Sequence, residues 1–228
     1  MSGIKLARAP KLILFDLDDT LIGSTEIYQK CYDDLKLDMK VLEAARDRIK
    51  KNLGPGHVSA HQRFLYFKLY LEMKSEFSPL ALDEMIFKYE NLLSNYFQNE
   101  WLSLKRDSLF SELKRICKLA IVTNENARTQ MVKLKAIDPK FHYFEFMVTS
   151  EEVGVEKPDL KIFKDCFERA GIRAEDVLMI GDSPKNDLEP MEKMGAQVIG
   201  TSEFIKDSLA GSKYNWIKNL NELAQILN

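Results

Sequence analysis

Three aspartates, Asp16, Asp18 and Asp19, share one turn directly after the apolar run at residues 12–15. Carboxylates packed this closely repel one another, so they are costly to ionise unless a cation is shared. Oxygen donors of this kind suit a hard divalent ion such as Mg²⁺. A plainer interpretation is that Asp18 or Asp19 caps the start of a helix. The turn therefore indicates either a metal site or a helix cap.

A second pair of acids, Asp182 and Asp187, follows another apolar run at residues 177–181. The carboxyl ends of parallel strands meet at one edge of a sheet, where open α/β folds place their active sites. Acids that follow two different strands can bind one ion there. Mg²⁺ usually binds few carboxylates and keeps its remaining coordination positions for water and phosphate oxygens. Asp187 is also placed to cap the helix that follows.

Two further segments have the groups needed to hold an anion. Thr123 and Asn124 end an apolar run and precede a helical pattern, so a hydroxyl and free backbone N–H groups meet there. Lys157 stands before Pro158, at the start of another helical pattern. Neither segment identifies a site by itself, because a lysine before a proline is usually part of a surface loop.

The elements that must position these groups alternate between short apolar runs and helical patterns. The predicted strands are residues 11–15, 119–123, 144–148, 177–181 and 197–200, and the predicted helices are 126–134, 159–170 and 187–194. Such alternation is typical of a parallel sheet with right-handed crossovers. The sequence therefore predicts a doubly wound, Rossmann-like α/β core, followed by a last short strand and helix within residues 212–228.

One stretch, residues 24–102, shows no strand pattern and is dominated by amphipathic helical patterns. Helices are predicted at residues 26–35, 39–51, 59–72 and 79–97, with a Gly-Pro-Gly break at 54–56. This stretch predicts an inserted all-helical module. Most of its aromatic residues are expected to be core: Phe64, Tyr66, Phe67, Tyr70, Tyr89, Tyr96 and Phe97.

The composition narrows the class of protein. The chain has 228 residues, 45% hydrophobic and 30% charged, with a net charge of -2. This length suits one core with an insertion, and the charge balance does not indicate a nucleic acid polymer as partner. Cys31, Cys117 and Cys166 are too far apart for a zinc motif or a disulfide framework, which favours a reducing cytoplasm. No apolar stretch approaches membrane-spanning length, so no membrane partner is expected.

Taken in chain order, the first acid pair, the strand-end threonine, the Lys-Pro pair and the second acid pair resemble the four motifs of the haloacid dehalogenase superfamily. The resemblance covers residues 12–22 and 104–200, and the inserted helices resemble that superfamily's first-type cap. The nearest likeness is to its pyrimidine 5'-nucleotidase and N-acylneuraminate 9-phosphatase groups. It rests on residues 150–154, the Lys-Pro pair and the Gly-Asp-Ser turn at 181–183.

The resemblance implies a Mg²⁺-dependent phosphatase with a catalytic core at residues 1–22 and 103–228 and a helical cap at 23–102. Asp16 would be the nucleophile that is transiently phosphorylated, and Asp18 would be its acid/base partner. Thr123 and Lys157 would complete the catalytic set.

The remaining roles also follow from the resemblance. Thr123, the backbone of Asn124 and Lys157 would hold the phosphate, and Asp187 would support Asp182 and Lys157 from behind. Asp16, the carbonyl of Asp18, and Asp182 would hold Mg²⁺. Glu125 departs from the pattern, because many relatives have glycine after the Thr-Asn pair. An acid in a first helical turn is locally favourable, so Glu125 can point away from the phosphate.

Charge arithmetic agrees with these roles. At about 4 Å and an effective dielectric near 20, a carboxylate attacking a phosphate dianion meets roughly 8 kcal/mol of repulsion. A divalent ion and the ammonium of Lys157 together add about three positive charges, enough to offset it. The reaction also requires Asp18 to be protonated when substrate arrives, so that it can protonate the leaving oxygen.

Alternatives differ in how well they fit. Dehalogenase members of the superfamily lack an acid at the place of Asp18, which disfavours dehalogenation. A phosphomutase would use the same core residues on a sugar phosphate. A phospho-accepting signalling domain needs about half this length and has no helical insertion, and a silent binding protein would have little reason to keep every charged position.

The predicted substrate is a small phosphorylated metabolite, and the protein is expected to be a monomer or weak homodimer. Cap aromatics are compatible with stacking on the base of a nucleoside 5'-monophosphate, but equally with helix packing. His57, His61 and Arg63 are the polar candidates for substrate contact, although a histidine near a helix start is more often a cap. The sequence does not choose among nucleoside monophosphates, sugar phosphates and phosphoglycolate.

Overall fold

The computed structural model describes residues 3–205 and 212–227. The strands in these ranges are β1 (Leu12–Phe15), β2 (Lys118–Thr123), β3 (Phe146–Thr149), β4 (Val177–Gly181), β5 (Gln197–Thr201) and β6 (Trp216–Ile217). They form one parallel sheet in the order β3-β2-β1-β4-β5-β6. Because β1 lies between β2 and β4, the strand order reverses at β1. The predicted doubly wound α/β core is confirmed.

Five helices lie between β1 and β2, and we call the first four the cap. They are α1 (Ser24–Asp34), α2 (Met39–Leu53), α3 (Arg63–Met73) and α4 (Pro79–Leu104). Asp38 and Ser78 accept hydrogen bonds from backbone amides in the first turns of α2 and α4, where the helix itself provides no acceptor. Whether residues 23–102 form a separate domain stays a prediction.

The cap aromatics pack mainly as a core. Five of those named from the sequence are buried: Tyr66, Phe67, Tyr70, Tyr89 and Phe97. Tyr96 is half-buried, whereas Phe64 is 49% exposed. The ring centroids of Tyr89 and Phe67 lie 5.2 Å apart in an edge-to-face arrangement, which aromatic pairs favour.

Helices of the core connect the later strands. They are α5 (Asp107–Ile116), α6 (Ala127–Ile137), α7 (Ser150–Val153), α8 (Leu160–Ala170), α9 (Glu189–Lys193) and α10 (Leu223–Leu227). Alternate residues of β1 enter two different apolar clusters, Ile13 and Phe15 on one face, Leu12 and Leu14 on the other. A central parallel strand covered on both faces explains why its sequence is a continuous apolar run. No helix within the described ranges is both long and apolar enough to cross a membrane.

Several predicted boundaries moved. The helix α3 begins at Arg63 rather than at 59, because the His57 ring accepts the Ser59 amide at 3.1 Å and holds the preceding residues in a turn. The helix α4 continues past 97, since Trp101 is also buried, and it ends at Lys105 in a left-handed conformation. The helix predicted at 187–194 is divided into a wide turn, Pro184–Leu188, followed by α9. The helix α5 was not predicted.

Candidate active site

Three strand ends meet at the carboxyl edge of the sheet. Asp16 follows β1, Thr123 ends β2 and Asp182 follows β4. The Asp16 amide donates to the carbonyl of Ile180 at 2.9 Å, which holds the turn against β4. A cavity of about 230 Å³ opens at this edge, and every site residue predicted from the sequence lines it: Asp16, Asp18, Thr123, Asn124, Lys157, Asp182 and Asp187, joined by Ser183 and Asn186.

Lys157 is the buried cation of this cavity. Its Nζ lies 2.6 Å from Asp16 Oδ1 and 2.7 Å from Asp187 Oδ1, and it also donates to the Val122 carbonyl at 3.2 Å. Burial opposes the ammonium charge, but Asp16 and Asp187 outweigh that cost and raise the pKa of Lys157. The side chain is therefore charged at neutral pH.

The loop that carries Lys157 is fastened to the end of β2 by Asn124. Asn124 Oδ1 accepts from the Lys157 amide at 2.6 Å, and Asn124 Nδ2 donates to the Lys157 carbonyl at 2.8 Å. Both functions of the side-chain amide are therefore used to hold the loop. Only the backbone of Asn124 remains to bind an anion, as the sequence predicts.

An acid cluster stands beside Lys157. Carboxylate oxygens of Asp16, Asp182 and Asp187 all lie within 4.8 Å of one another. Burial raises the pKa of Asp16 well above its usual value; Lys157 works against this rise, while Asp187 and Asp182 add to it. Burial and the charge of Asp187 likewise raise the pKa of Asp182 to about 6. The Thr20 hydroxyl lies 3.3 Å from both Asp16 Oδ2 and Asp182 Oδ1, a bridge that was not predicted.

The carboxylate of Asp18 faces away from this cluster. Its Oδ1 lies 2.6 Å from Lys133 Nζ, and its Oδ2 accepts from Gln130 Nε2 at 2.8 Å. Burial raises the pKa of Asp18. Lys133 and the hydrogen bonds together lower it by more than burial raises it, so the resulting pKa is about 2. In the free protein Asp18 is therefore ionised. This direction opposes the expectation that Asp18 is already protonated when substrate arrives.

The helix-cap interpretation of the first acid turn applies to Asp19. Asp19 Oδ1 accepts from the amides of Ser24 at 2.8 Å and Thr25 at 3.2 Å, at the start of α1. Asp19 Oδ2 accepts from the Thr25 hydroxyl at 2.6 Å. One turn therefore serves two purposes: Asp16 and Asp18 face the cavity, and Asp19 begins the cap.

Two side chains of α6 at the site were not predicted. Gln130 and Lys133 are three residues apart and so lie on the same face of α6, directed at Asp18. Gln130 Nε2 also donates to the Thr123 hydroxyl at 2.8 Å. The available signal was a glutamine and a lysine on one face of a helix that begins beside a predicted phosphate site.

Glu125 points away from the cavity, as the sequence allowed, and into the junction of core and cap. Its Oε2 lies 2.8 Å from the Tyr28 hydroxyl, and its Oε1 forms an ion pair with Arg63. Of the three cap residues predicted as candidates for substrate contact, Arg63 is therefore held by Glu125 of the core. His61 lies 3.7 Å from Glu156, and His57 bonds within its own turn.

Residues 13–201 match the family model described as haloacid dehalogenase-like hydrolase. The chain belongs to this family. The resemblance inferred from the four motifs is confirmed, and the matched segment includes the inserted helices.

Curated relatives of this haloacid dehalogenase-like hydrolase carry phosphatase names. Glyceraldehyde 3-phosphate phosphatase of Methanocaldococcus jannaschii is 28% identical over 95% of this chain and 96% of its own. Ribulose-1,5-bisphosphate 5-phosphatase of Halopiger xanaduensis is 28% identical over 82% of each chain. Pyrimidine 5'-nucleotidase YjjG of Escherichia coli is 33% identical over 53% of this chain and 54% of its own. These names support a phosphatase.

Among solved structures, the putative hydrolase YfnB of Bacillus subtilis, bound to magnesium, is similar with a TM-score of 0.64. It is 24% identical and covers 97% of this chain and 100% of its own. A putative β-phosphoglucomutase of Thermotoga maritima has a TM-score of 0.61 at 21% identity, covering 95% and 98%. At these identities the likeness establishes the shared fold.

Proposed function

We propose that this hydrolase is a Mg²⁺-dependent phosphatase that releases phosphate from a small phosphorylated metabolite through an aspartyl-phosphate on Asp16. The observation that carries the proposal is the setting of Asp16. Its buried carboxylate lies 2.6 Å from Lys157 Nζ and lines an open cavity at the carboxyl edge of the sheet. The phosphatase names of the relatives support the same reaction.

The acid cluster fits Mg²⁺ in both donor type and charge. Three carboxylates converge within 4.8 Å, and burial together with the charge of Asp187 raises the pKa values of Asp16 and Asp182. Asp16, Asp182 and the Asp18 carbonyl would hold the ion, with Asp187 fixed behind them by Lys157 and the Ser183 amide. When bound, the ion would offset the repulsion between Asp16 and a phosphate oxygen.

The protein's own groups account for the remaining steps. The phosphate oxygens would be held by Lys157, the Thr123 hydroxyl and the backbone N–H of Asn124, which leaves phosphorus facing Asp16. As Asp16 bonds to phosphorus, the bond to the leaving oxygen breaks and Asp18 donates a proton to that oxygen. Asp18 then takes a proton from a water that attacks the aspartyl-phosphate, which frees phosphate and restores Asp16.

Asp18 would acquire its proton together with the substrate. In the free protein, Lys133 and Gln130 stabilise its ionised form. A phosphate dianion in the adjacent cavity adds negative charge, and a like charge nearby raises the pKa of a carboxyl group. Substrate binding would therefore oppose the effect of Lys133.

The cap supports a substrate whose leaving group carries a ring, such as the nucleoside of a nucleoside 5'-monophosphate. A cavity of about 300 Å³ within the cap is bordered by the side chains of Tyr28, Tyr32, Tyr66 and Arg63, among others. Aromatic faces with a cation beside them suit a flat, polar group. The named activities of the relatives range from sugar phosphates to nucleotides.

The proposal is tested by measuring phosphate release from a panel of nucleoside monophosphates, sugar phosphates and phosphoglycolate, with Mg²⁺ and with a chelator. We expect release from at least one single substrate, its loss in chelator, and its loss in Asp16→Asn. Turnover that requires a sugar bisphosphate activator and yields an isomer would instead establish a phosphomutase. Full activity of Asp16→Asn would remove the basis of the proposed mechanism.

A further inference from the structure

Four side chains lie between the cap and Asp18, and we call them the bridging cluster: Tyr28, Arg63, Glu125 and Lys133. Tyr28 is on α1 and Arg63 begins α3, so these two belong to the cap. Glu125 follows the strand-end threonine, and Lys133 is on α6, so these two belong to the core. The roles assigned to the catalytic residues account for none of the four.

Lys133 is fully buried, at 0% exposed. An ammonium group without water is costly unless it is paired. Its Nζ lies 2.6 Å from Asp18 and 3.5 Å from Glu125 Oε2, and the rings of Tyr28 and Phe97 lie 4.8 and 5.6 Å away. These two carboxylates and two aromatic rings all stabilise a positive charge. They therefore fix the position of the Lys133 ammonium group, and Lys133 in turn holds Asp18.

Glu125 connects Lys133 to the cap. It is 4% exposed and is shared between Lys133, the Tyr28 hydroxyl and the guanidinium of Arg63. Arg63 also lies over the Tyr28 ring, 4.4 Å from its centroid. The acids Glu125 and Asp18 thus balance the bases Lys133 and Arg63, so the buried charges compensate only while cap and core remain together.

Tyr28 brings the cap directly to Asp18. Its hydroxyl lies 2.8 Å from Glu125 Oε2 and 3.3 Å from Asp18 Oδ1. Glu125 and the ring contact with Arg63 hold this hydroxyl. Lys133 donates to the same Asp18 oxygen, Oδ1, while Gln130 of α6 holds Oδ2. The orientation of Asp18 therefore depends on two residues from the core and one from the cap.

We propose that the bridging cluster positions Asp18 for proton transfer and makes that position conditional on the cap being docked. Lys133 and Tyr28 act as positioning residues for Asp18, and Glu125 and Arg63 hold them in place. The inference rests on the proposed function, since it assumes that Asp18 is the acid/base group. It assigns a role to Glu125, a buried acid that the proposed catalytic steps do not use.

The test uses leaving groups of different basicity. A nitrophenolate departs without help, whereas an alkoxide needs a proton, so misplacing Asp18 harms alkyl phosphates most. Tyr28→Phe, Glu125→Gln and Lys133→Met are compared on p-nitrophenyl phosphate and glycerol phosphate. The comparison uses kcat/KM, which reports the steps up to departure of the leaving group and excludes the later attack of water that both esters share. We expect kcat/KM on glycerol phosphate to fall about tenfold or more, and kcat/KM on the aryl ester to fall about threefold or less.

The matched control is Arg128→Met. Arg128 also joins core to cap, through an ion pair with Glu90 at 2.6 and 2.8 Å, but it is exposed and touches no member of the cluster. It should leave the ratio of the two kcat/KM values unchanged. A thermal melt of each variant shows whether it folds, and if Lys133→Met does not fold, Tyr28→Phe decides, because it removes a single oxygen.

Equal losses on both esters, or no loss in Tyr28→Phe and Glu125→Gln, would overturn the inference. Asp18→Asn separates this failure from that of the proposed function. If Asp18→Asn loses glycerol phosphate turnover while the cluster variants keep it, only the inference fails. If Asp18→Asn keeps turnover, the proposed role of Asp18 fails and the inference fails with it.

Discussion

Gly181 ends β4, and the side chain of Asp187 packs directly against it. A Cβ on Gly181 would lie 2.5 Å from Asp187 Cβ and 2.6 Å from its Oδ2, so one of the two must move. Asp187 cannot yield cheaply, because it is 1% exposed and holds Lys157 at 2.7 Å. We expect Gly181→Ala to cost about 1–3 kcal/mol of stability. It should also lower phosphatase activity per folded molecule at least tenfold, because Lys157 loses its support.

Gly200→Ala is the control for this clash. A Cβ on Gly200 would lie 2.4 Å from the Trp216 ring, so the steric conflict is as severe but lies between β5 and β6. Chemical denaturation should show both variants destabilised, while kcat per folded molecule should fall only in Gly181→Ala. Equal kcat in the two variants would mean that Asp187 does not need its present position.

At this scale the sequence was informative where a residue type is unusual for its setting. Acids directly after apolar runs marked Asp16 and Asp182 as candidates, while the roles predicted for them came from the resemblance to the family. Lys133 was not identified, because a lysine on an amphipathic helix is normally on the solvent face. Its burial depends on Asp18 and Glu125 being folded against it, a long-range condition that no local pattern records.

Among the elements, α6 has the most direct effect on the site, since it carries Gln130 and Lys133. It is capped by Asn126, whose Oδ1 accepts from the Thr129 amide at 2.9 Å. Asn126→Ala should cost about 1 kcal/mol of stability, measured by chemical denaturation, because the first turn loses its cap. Since that turn also carries Glu125 at its entrance, we expect kcat on an alkyl phosphate to fall several-fold.

Ser78→Ala is the matched cap variant. Ser78 accepts the Ala81 amide at 3.0 Å at the start of α4, far along the chain from the site residues. It should lose a similar amount of stability and keep its kcat. If both variants lose activity in proportion to stability, α6 would have no special connection with the chemistry.

The sheet elements could be predicted better than the helices around them. β1, β2, β4 and β5 were found within one residue of their bounds, because a strand buried on both faces is a short apolar run with few alternatives. The run predicted at 144–148 began too early because Phe144 is buried without belonging to β3 (Phe146–Thr149). The helix α5 was missed, since its buried residues Leu109, Phe110 and Leu113 are separated by charged ones in a short segment.

In the whole molecule, the acid cluster leaves the metal-free protein sensitive to pH. Burial and Asp187 raise the pKa of Asp182 to about 6, and the pKa of Asp16 is raised as well. Unfolded aspartates ionise near pH 4. Between about pH 4 and 6 the folded protein therefore holds protons that the unfolded chain releases, so stability falls as pH rises through this interval. Thermal melts in chelator should show this fall.

Mg²⁺ should reverse this pH dependence of stability. An ion that binds only the folded protein adds about 2.7 kcal/mol to its stability at a hundred times the dissociation constant. Protons compete with the ion for the same carboxylates, so the rise in melting temperature on adding Mg²⁺ should grow from pH 4.5 to pH 6.5. Asp182→Asn should lose most of this rise. Asp176→Asn, which alters an acid at the opposite end of β4 that is paired with Lys11, should retain it. An undiminished rise in Asp182→Asn would place the ion elsewhere.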